Sequence, residues 1–157
     1  LGEFFFFFLK KEDQQWVRLQ DELHTLQLYL DIEKVRFGNR LSTSIHLQPG
    51  TGEAGIPSML LQPLLENGIK FGLYDTTGAT NIALDARLDD GILVVTVENP
   101  FDESTATAGN GTGFGLNSVQ RRLYLLFGRN DLLKTESKEN TFMVTVSIPQ
   151  QAVKENV

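Results

Sequence analysis

The sequence predicts an α/β (α+β) two-layer sandwich: a mixed sheet of about five strands with helices on one face. Two observations carry this. Helical and strand-like periods alternate along the chain in the order helix, strand, helix, two strands, loop, helix, two strands, which is how an element mix packs into a sheet layer and a helix layer. Two strand pairs are also joined by very short polar turns, which fits antiparallel hairpins rather than crossovers.

Taken in order, residues 1–10 (LGEFFFFFLK) hold five consecutive phenylalanines, Phe4 to Phe8. Five adjacent rings cannot all face one small core, so this run is an exposed apolar surface unless something covers it. A helix is expected from Val17 to Phe37, because Leu19, Leu23, Leu26 and Leu30 recur at spacings of four, three and four. Gly38-Asn39 supplies its stop. Leu41 to Leu47 reads as a strand, with Leu41, Thr43, Ile45 and Leu47 on one face. The stretch 49–55 (PGTGEAG) is a loop. A second helix is expected from near Pro57 to about Lys70, with Pro63 marking a kink or a later start.

Residues 82–88 alternate apolar and polar, and Ile92 to Val97 is a β-branched run. Asp89-Asp90-Gly91 makes a hairpin turn between them. Residues 99–113, rich in Gly, Thr, Ala, Asn and Asp, read as a mobile loop. A third helix is expected from Phe114 to Phe127 with Gly128 at its end. Residues 131–135 and 141–148 form a last strand pair around Lys138-Glu139-Asn140, and the polar tail from Gln150 frays.

The 157 residues suit one compact domain. A formal net charge of −6 argues against nucleic acid as a partner, because phosphate-backbone binding calls for a basic face. It does not argue against a nucleotide, whose phosphates can be met by backbone N–H groups and a metal ion. The absence of cysteine excludes disulfides and thiolate zinc sites. No apolar run reaches the roughly 18 residues of a membrane span.

Two segments carry candidate chemistry. In Gln62-Pro63-Leu64-Leu65-Glu66-Asn67-Gly68-Ile69-Lys70-Phe71-Gly72, helical spacing places Pro63, Glu66, Asn67 and Lys70 on one side. An amide oxygen suits a hard cation such as Mg²⁺. An ammonium group suits a phosphate, and a carboxylate can orient water or act as a base. The same residues could equally form an exposed polar helix face with a Glu66–Lys70 pair. In Gly109-Asn110-Gly111-Thr112-Gly113-Phe114-Gly115-Leu116, alternate glycines let the backbone approach a ligand. The helix that follows offers unpaired N–H groups to an anion, and Thr112 adds a hydroxyl. The segment fits neither the dinucleotide fingerprint nor a P-loop.

Glu-Asn-x-x-Lys on a helix, a hairpin, and then a G-x-G-x-G loop opening another helix resemble the GHKL ATP-binding superfamily. The match narrows to its LytS-like sensor histidine kinases through Leu19-Gln20-Asp21-Glu22-Leu23, residues 29–37 (YLDIEKVRF), Ile56-Pro57, Leu61-Gln62-Pro63, Glu66 to Gly72, Gly111 to Leu123 and Val146-Ser147-Ile148-Pro149. The resemblance implies a Bergerat-type ATP-binding fold preceded by a partial dimerisation helix. It divides the chain into 1–16, the end of a dimerisation and phosphotransfer hairpin; 17–150, the catalytic domain; and a disordered tail, 151–157.

It also implies roles. Glu66 and Asn67 would be the catalytic pair, with Asn67 on the Mg²⁺ that bridges the ATP phosphates. Lys70 would touch phosphate, Phe71 would lie near the adenine or ribose, and Asn99 would read the adenine amino group. Gly111, Thr112, Gly113, Gly115 and Leu116 would form the glycine box, with residues 101–110 as the lid. Thr141 would support the base through water. Two positions depart from the family pattern: Asn99-Pro100-Phe101 stands where Asp-x-Gly is usual, and Phe71 stands where His is frequent.

The implied activity is transfer of the ATP γ-phosphoryl group to a histidine. Neither His24 nor His46 has the Asn-Pro-His-Phe context of the family's acceptor, so the acceptor is expected upstream of this segment. The implied partners are ATP, a response regulator and a second copy through the N-terminal helix. The implied setting is a cytoplasmic domain whose parent sits in the bacterial inner membrane, anchored outside this segment. The competing readings are a degenerate nucleotide-binding or dimerisation module, favoured by Asn99, and a GHKL ATPase of the chaperone or gyrase kind.

Overall fold

The structure is a computed structural model that describes residues 15–74, 78–101 and 114–150. Phe4 to Phe8, Gly111, Thr112, Gly113 and the tail from 151 lie outside the described residues.

The first helix, α1, runs Leu19–Phe37 rather than from Val17, because the preceding residues Trp16–Arg18 form a short strand, β1. That strand pairs antiparallel with β3, Gly55–Pro57, through Trp16↔Pro57 and Arg18↔Gly55. Aromatic and β-branched residues at 16 and 17 suit such a pairing. The Leu19 N–H then donates to Ala54 O at 2.8 Å, which fixes where the helix starts. Its charge pattern matches the helix dipole, with Asp21 and Glu22 in the first turn and Lys34 and Arg36 in the last. The expected leucine stripe, Leu19, Leu23, Leu26 and Leu30, is buried. Each such side chain contributes roughly 1.5–3 kcal/mol by leaving water.

The five-stranded sheet has the order β2-β4-β5-β7-β6, where β2 is Leu41–Leu47, β4 Thr80–Asp89, β5 Ile92–Pro100, β6 Leu133–Lys138 and β7 Thr141–Pro149. β2 lies parallel to β4, and the remaining pairs are antiparallel. The parallel pair needs a long crossover, and the segment that supplies it carries the second helix, α2 (Gln62–Ile69). Both hairpins turn on two residues of positive φ. These are Asp90 (53°) with Gly91 (79°), and Glu139 (53°) with Asn140 (60°), the pattern of a type I′ turn that matches strand twist.

The second helix, α2, spans Gln62–Ile69, shorter than the expected 57–70. Ile56 and Pro57 belong to β3, and Pro63 sits in the first helical turn, where its missing N–H costs nothing. Residues Lys70–Tyr74 continue as a π-turn. The third helix, α3, runs Phe114–Phe127 as expected. Its end is fixed by Gly128 at φ 68°, whose N–H donates to Tyr124 O at 2.7 Å.

The core lies between one sheet face and the helices. Along β7, Phe142, Val144, Val146 and Ile148 are buried, whereas Thr141, Met143, Thr145 and Ser147 are half-exposed. Leu64, Leu65 and Ile69 of α2 and Leu116, Val119 and Leu123 of α3 join the same cluster. Trp16 meets Phe127 edge-on with centroids 5.9 Å apart, so β1 packs against the end of α3.

Candidate functional site

The site is built where α2 crosses the sheet. Asn67 is only 8% exposed, yet its Nδ2 has no hydrogen-bond partner. A buried amide donor left unpaired costs about 1–3 kcal/mol, so such atoms are uncommon without a ligand or water to meet them. Glu66 and Lys70 stand exposed on either side of it along the helix. Glu66 accepts from Gln62 Nε2 at 3.1 Å, and the Glu66–Lys70 pair that the spacing allows is not formed.

Asn99, on β5, is 3% exposed. Gly68 lets α2 lie directly against it: a Cβ added at Gly68 would stand 3.4 Å from Asn99 Oδ1 and 3.3 Å from Ile82 Cδ1. The Asn99 Nδ2 donates to Pro100 O at 2.8 Å, which leaves Oδ1 as its free face. Beside it, Phe71, Phe101 and Phe142 form an aromatic triangle with centroids 5.3–5.5 Å apart. Phe101 is held there by its N–H, which donates to Asn140 O at 2.8 Å. Strand register sets Asn99 opposite Phe142 and Pro100 opposite Thr141, so Thr141 borders the same region and is half-buried.

The start of α3 closes the other side. A Cβ at Gly115 would meet Pro63 O at 3.6 Å, so the two helices meet at their first turns. Gly115 is exposed. The Leu116 side chain is buried in the core, so any ligand contact from it would come from the backbone. The structure therefore brings Asn67, Phe71, Asn99, Thr141 and Gly115 around one region, whereas His24 and His46 are exposed on α1 and β2.

Sequence reasoning missed three residues here. Phe101 stands in the sequence only as the first lid residue and a departure from the Asp-x-Gly pattern, and Phe142 only as part of a strand. Glu22 is 4% exposed on the leucine face of α1. A carboxylate three residues after Leu19 and four before Leu26 interrupts an apolar stripe, and that spacing was the available signal.

Among the described residues no group of three or more His, Cys, Asp or Glu could hold a metal ion. A cation here would therefore take most of its ligands from phosphate and water, the usual condition of Mg²⁺ in nucleotide sites. The unpaired Asn67 Nδ2 is a donor that a phosphate or water oxygen would meet, and the exposed Lys70 suits a phosphate; a cation would have to be held by the other end of the amide, its oxygen.

Comparison with known proteins agrees with this geometry. A family model described as histidine kinase matches residues 1–41. The chain is 30% identical over 140 residues to the sensor histidine kinase BtsS of Escherichia coli K12, covering 88% of this chain and 25% of that protein. It is 30% identical over 159 residues to the sensor protein LytS of Oceanobacillus iheyensis, covering 93% and 27%. The chain thus spans about a quarter of the length of the curated relatives it matches. Among solved structures, the catalytic domain of histidine kinase ThkA superposes with a TM-score of 0.63 at 15% identity, over 87% of this chain and 95% of that one. The same kinase in complex with the response regulator protein TrrA gives 0.57 at 15%, over 89% and 42%.

The mixed sheet under α1, α2 and α3 is therefore the fold of a histidine-kinase catalytic domain. In sequence the chain is similar over nearly all its length to the sensor histidine kinases LytS and BtsS.

Proposed function

We propose that this chain binds Mg²⁺–ATP between α2 and β5 and serves as the catalytic part of a two-component sensor kinase. The observation that carries the reading is the buried, unpaired Asn67 amide, set beside Asn99 and the phenylalanine triangle. In this reading Asn67 would hold Mg²⁺ from the protein side, the metal supplying charge neutralisation for the phosphates when bound, and Lys70 would meet a phosphate oxygen as a point charge. Glu66 orients the reacting end. Phe71 offers the base an apolar ring face. Gly115 and Leu116 supply backbone N–H groups at the start of α3, Gly111, Thr112 and Gly113, which precede it in the sequence, would add theirs, and Thr141 supports the base.

Asn99 keeps a role despite lacking a charge. With its Nδ2 engaged by Pro100 O, its Oδ1 is available to accept from an exocyclic amino group such as that of adenine. A neutral acceptor is weaker than a charged one, by about 1 kcal/mol. That difference favours the second reading, a degenerate module that binds nucleotide weakly and signals by conformation.

Transfer of the γ-phosphoryl goes to a histidine outside the catalytic domain, proposed as residues 17–150, with 1–16 as the end of a dimerising helical hairpin and 151–157 as a tail. The ThkA–TrrA complex supports a response regulator as the protein partner. No helix of the described residues is long and apolar enough to cross a membrane.

Calorimetry with Mg²⁺–ATP tests the reading. The chain should bind, and Asn67→Ala should reduce affinity at least about tenfold, the scale of one lost charge-assisted contact. Its melting temperature should not fall, because the amide it removes has no protein partner. Equal binding by both proteins would put the metal elsewhere.

A further inference from the structure

The Glu22 carboxyl group is buried on α1, far in sequence from the candidate site, and reaches the segment that leads into α2. Its Oε1 accepts from the Met59 N–H at 3.1 Å and its Oε2 from the Leu61 N–H at 3.4 Å. Both donors matter for how α2 begins. Met59 is a non-glycine residue at φ 64°, a left-handed conformation that costs an L-residue roughly 1–2 kcal/mol unless neighbours hold it. Leu61 is the residue that precedes α2, and it makes no side-chain cap of its own. The first helical turn also contains Pro63, which has no N–H to offer. The end of α2 that normally carries a Ser, Thr, Asp or Asn cap is thus fixed from another helix.

We infer that Glu22 is a positioning residue for the nucleotide helix: its carboxyl clamps Met59 and Leu61 and so sets where Asn67, eight and six residues on, stands relative to Asn99. The positioning role rests on reading α2 as the nucleotide helix; the clamp itself does not. The neighbours of Glu22 on the helix, Leu19, Leu23 and Leu26, belong to the apolar core, so hydrophobic packing gives no reason for an acid there. Burying a carboxyl group is costly unless hydrogen bonds meet it, and the two donors it meets lie one on each side of Leu60.

The experiment uses the whole chain and two readouts, amide hydrogen exchange and Mg²⁺–ATP calorimetry, on Glu22→Ala, Glu22→Gln and Asn67→Ala. Glu22→Ala should speed exchange at Met59, Leu61 and the first turn of α2 by about tenfold or more, while the amides of β5 and β7 keep their protection. Its nucleotide affinity should fall about tenfold. Glu22→Gln keeps one acceptor and sets an amide donor against the other N–H, so it should show a smaller loss of both kinds and keeps the test readable if the alanine variant does not fold. Asn67→Ala should lose nucleotide and leave exchange at Met59 and Leu61 unchanged. Unchanged exchange in Glu22→Ala, or protection lost equally across β5 and β7, overturns the clamp. A local exchange effect with full nucleotide affinity overturns the positioning role. A wild-type chain that binds no Mg²⁺–ATP sinks the proposed function instead, and the exchange measurements then decide the clamp alone.

Discussion

The two ends of β3 and the two sides of α2 treat buried polar groups in opposite ways. Around β3, the buried Glu22 and the half-buried Gln150 are both paired. Glu22 meets Met59 and Leu61. Gln150 exchanges two bonds with Gly55, accepting from its N–H at 2.8 Å and donating to its C=O at 2.9 Å. Around α2 and the π-turn that follows it, two buried polar atoms have no partner, Asn67 Nδ2 and Thr80 Oγ1. Protein interiors rarely leave such atoms alone. The contrast separates a finished, paired scaffold from an unfinished side with unmet polar atoms; Gln120 Oε1 on α3 is also unpaired among the described residues, so such atoms are not confined to the candidate site.

Tight packing at the unfinished side is tested by the largest expected effect. A Cβ at Gly72 would stand 2.6 Å from Thr80 Oγ1 and 3.0 Å from its Cβ and Cγ2. Thr80 is β-branched and lies in a strand, so its side chain has little freedom to swing away. Gly72→Ala should destabilise the chain by about 1–3 kcal/mol, read as a lower urea midpoint. No change would mean that this side is loosely packed and that its unpaired atoms reflect slack rather than a ligand site.

Next in size is the finished side. Gln150→Ala removes one acceptor and one donor from the buried backbone of Gly55. Leaving those groups unmet should cost about 1–2 kcal/mol. Faster exchange of the Gly55 amide should accompany the loss, since that N–H would have no protein acceptor. A neutral result would erase the distinction between the two sides.

Much of the fold was legible from period and turn chemistry alone. The leucine stripe of α1, the two hairpins with Asp90-Gly91 and Glu139-Asn140, and the limits of α3 are all set by local rules. What local rules did not reveal are features that need a distant partner. Trp16–Arg18 becomes a strand only because Gly55–Pro57 lies beside it. Pro57 was expected to open a helix, and the same pairing draws it into β3. At the site, helical spacing singled out Asn67 and the family resemblance singled out Asn99, but only the tertiary structure reveals that Gly68 brings α2 against Asn99 and that Phe71 shares a triangle with Phe101 and Phe142. Glu22 shows the same limit from the other direction: its sequence neighbours explain its burial, and only residues 37 and 39 positions later explain its charge.

The smallest expected effect is the sharpest test of the contrast. Thr80 is 3% exposed and its hydroxyl has no partner, while Leu41 lies opposite it on the neighbouring strand β2. Thr80→Val replaces that hydroxyl with a methyl group of nearly the same shape. Where a buried hydroxyl is satisfied, this exchange is costly; where it is not, the loss of an unmet polar group compensates. Thr80→Val should therefore leave stability unchanged or raise it by up to about 1 kcal/mol. A fall of more than that in the ligand-free chain would mean the hydroxyl already has a partner, such as a bound water. The unfinished side would then shrink to Asn67 alone, and Asn67 would have to carry the case for a ligand site by itself.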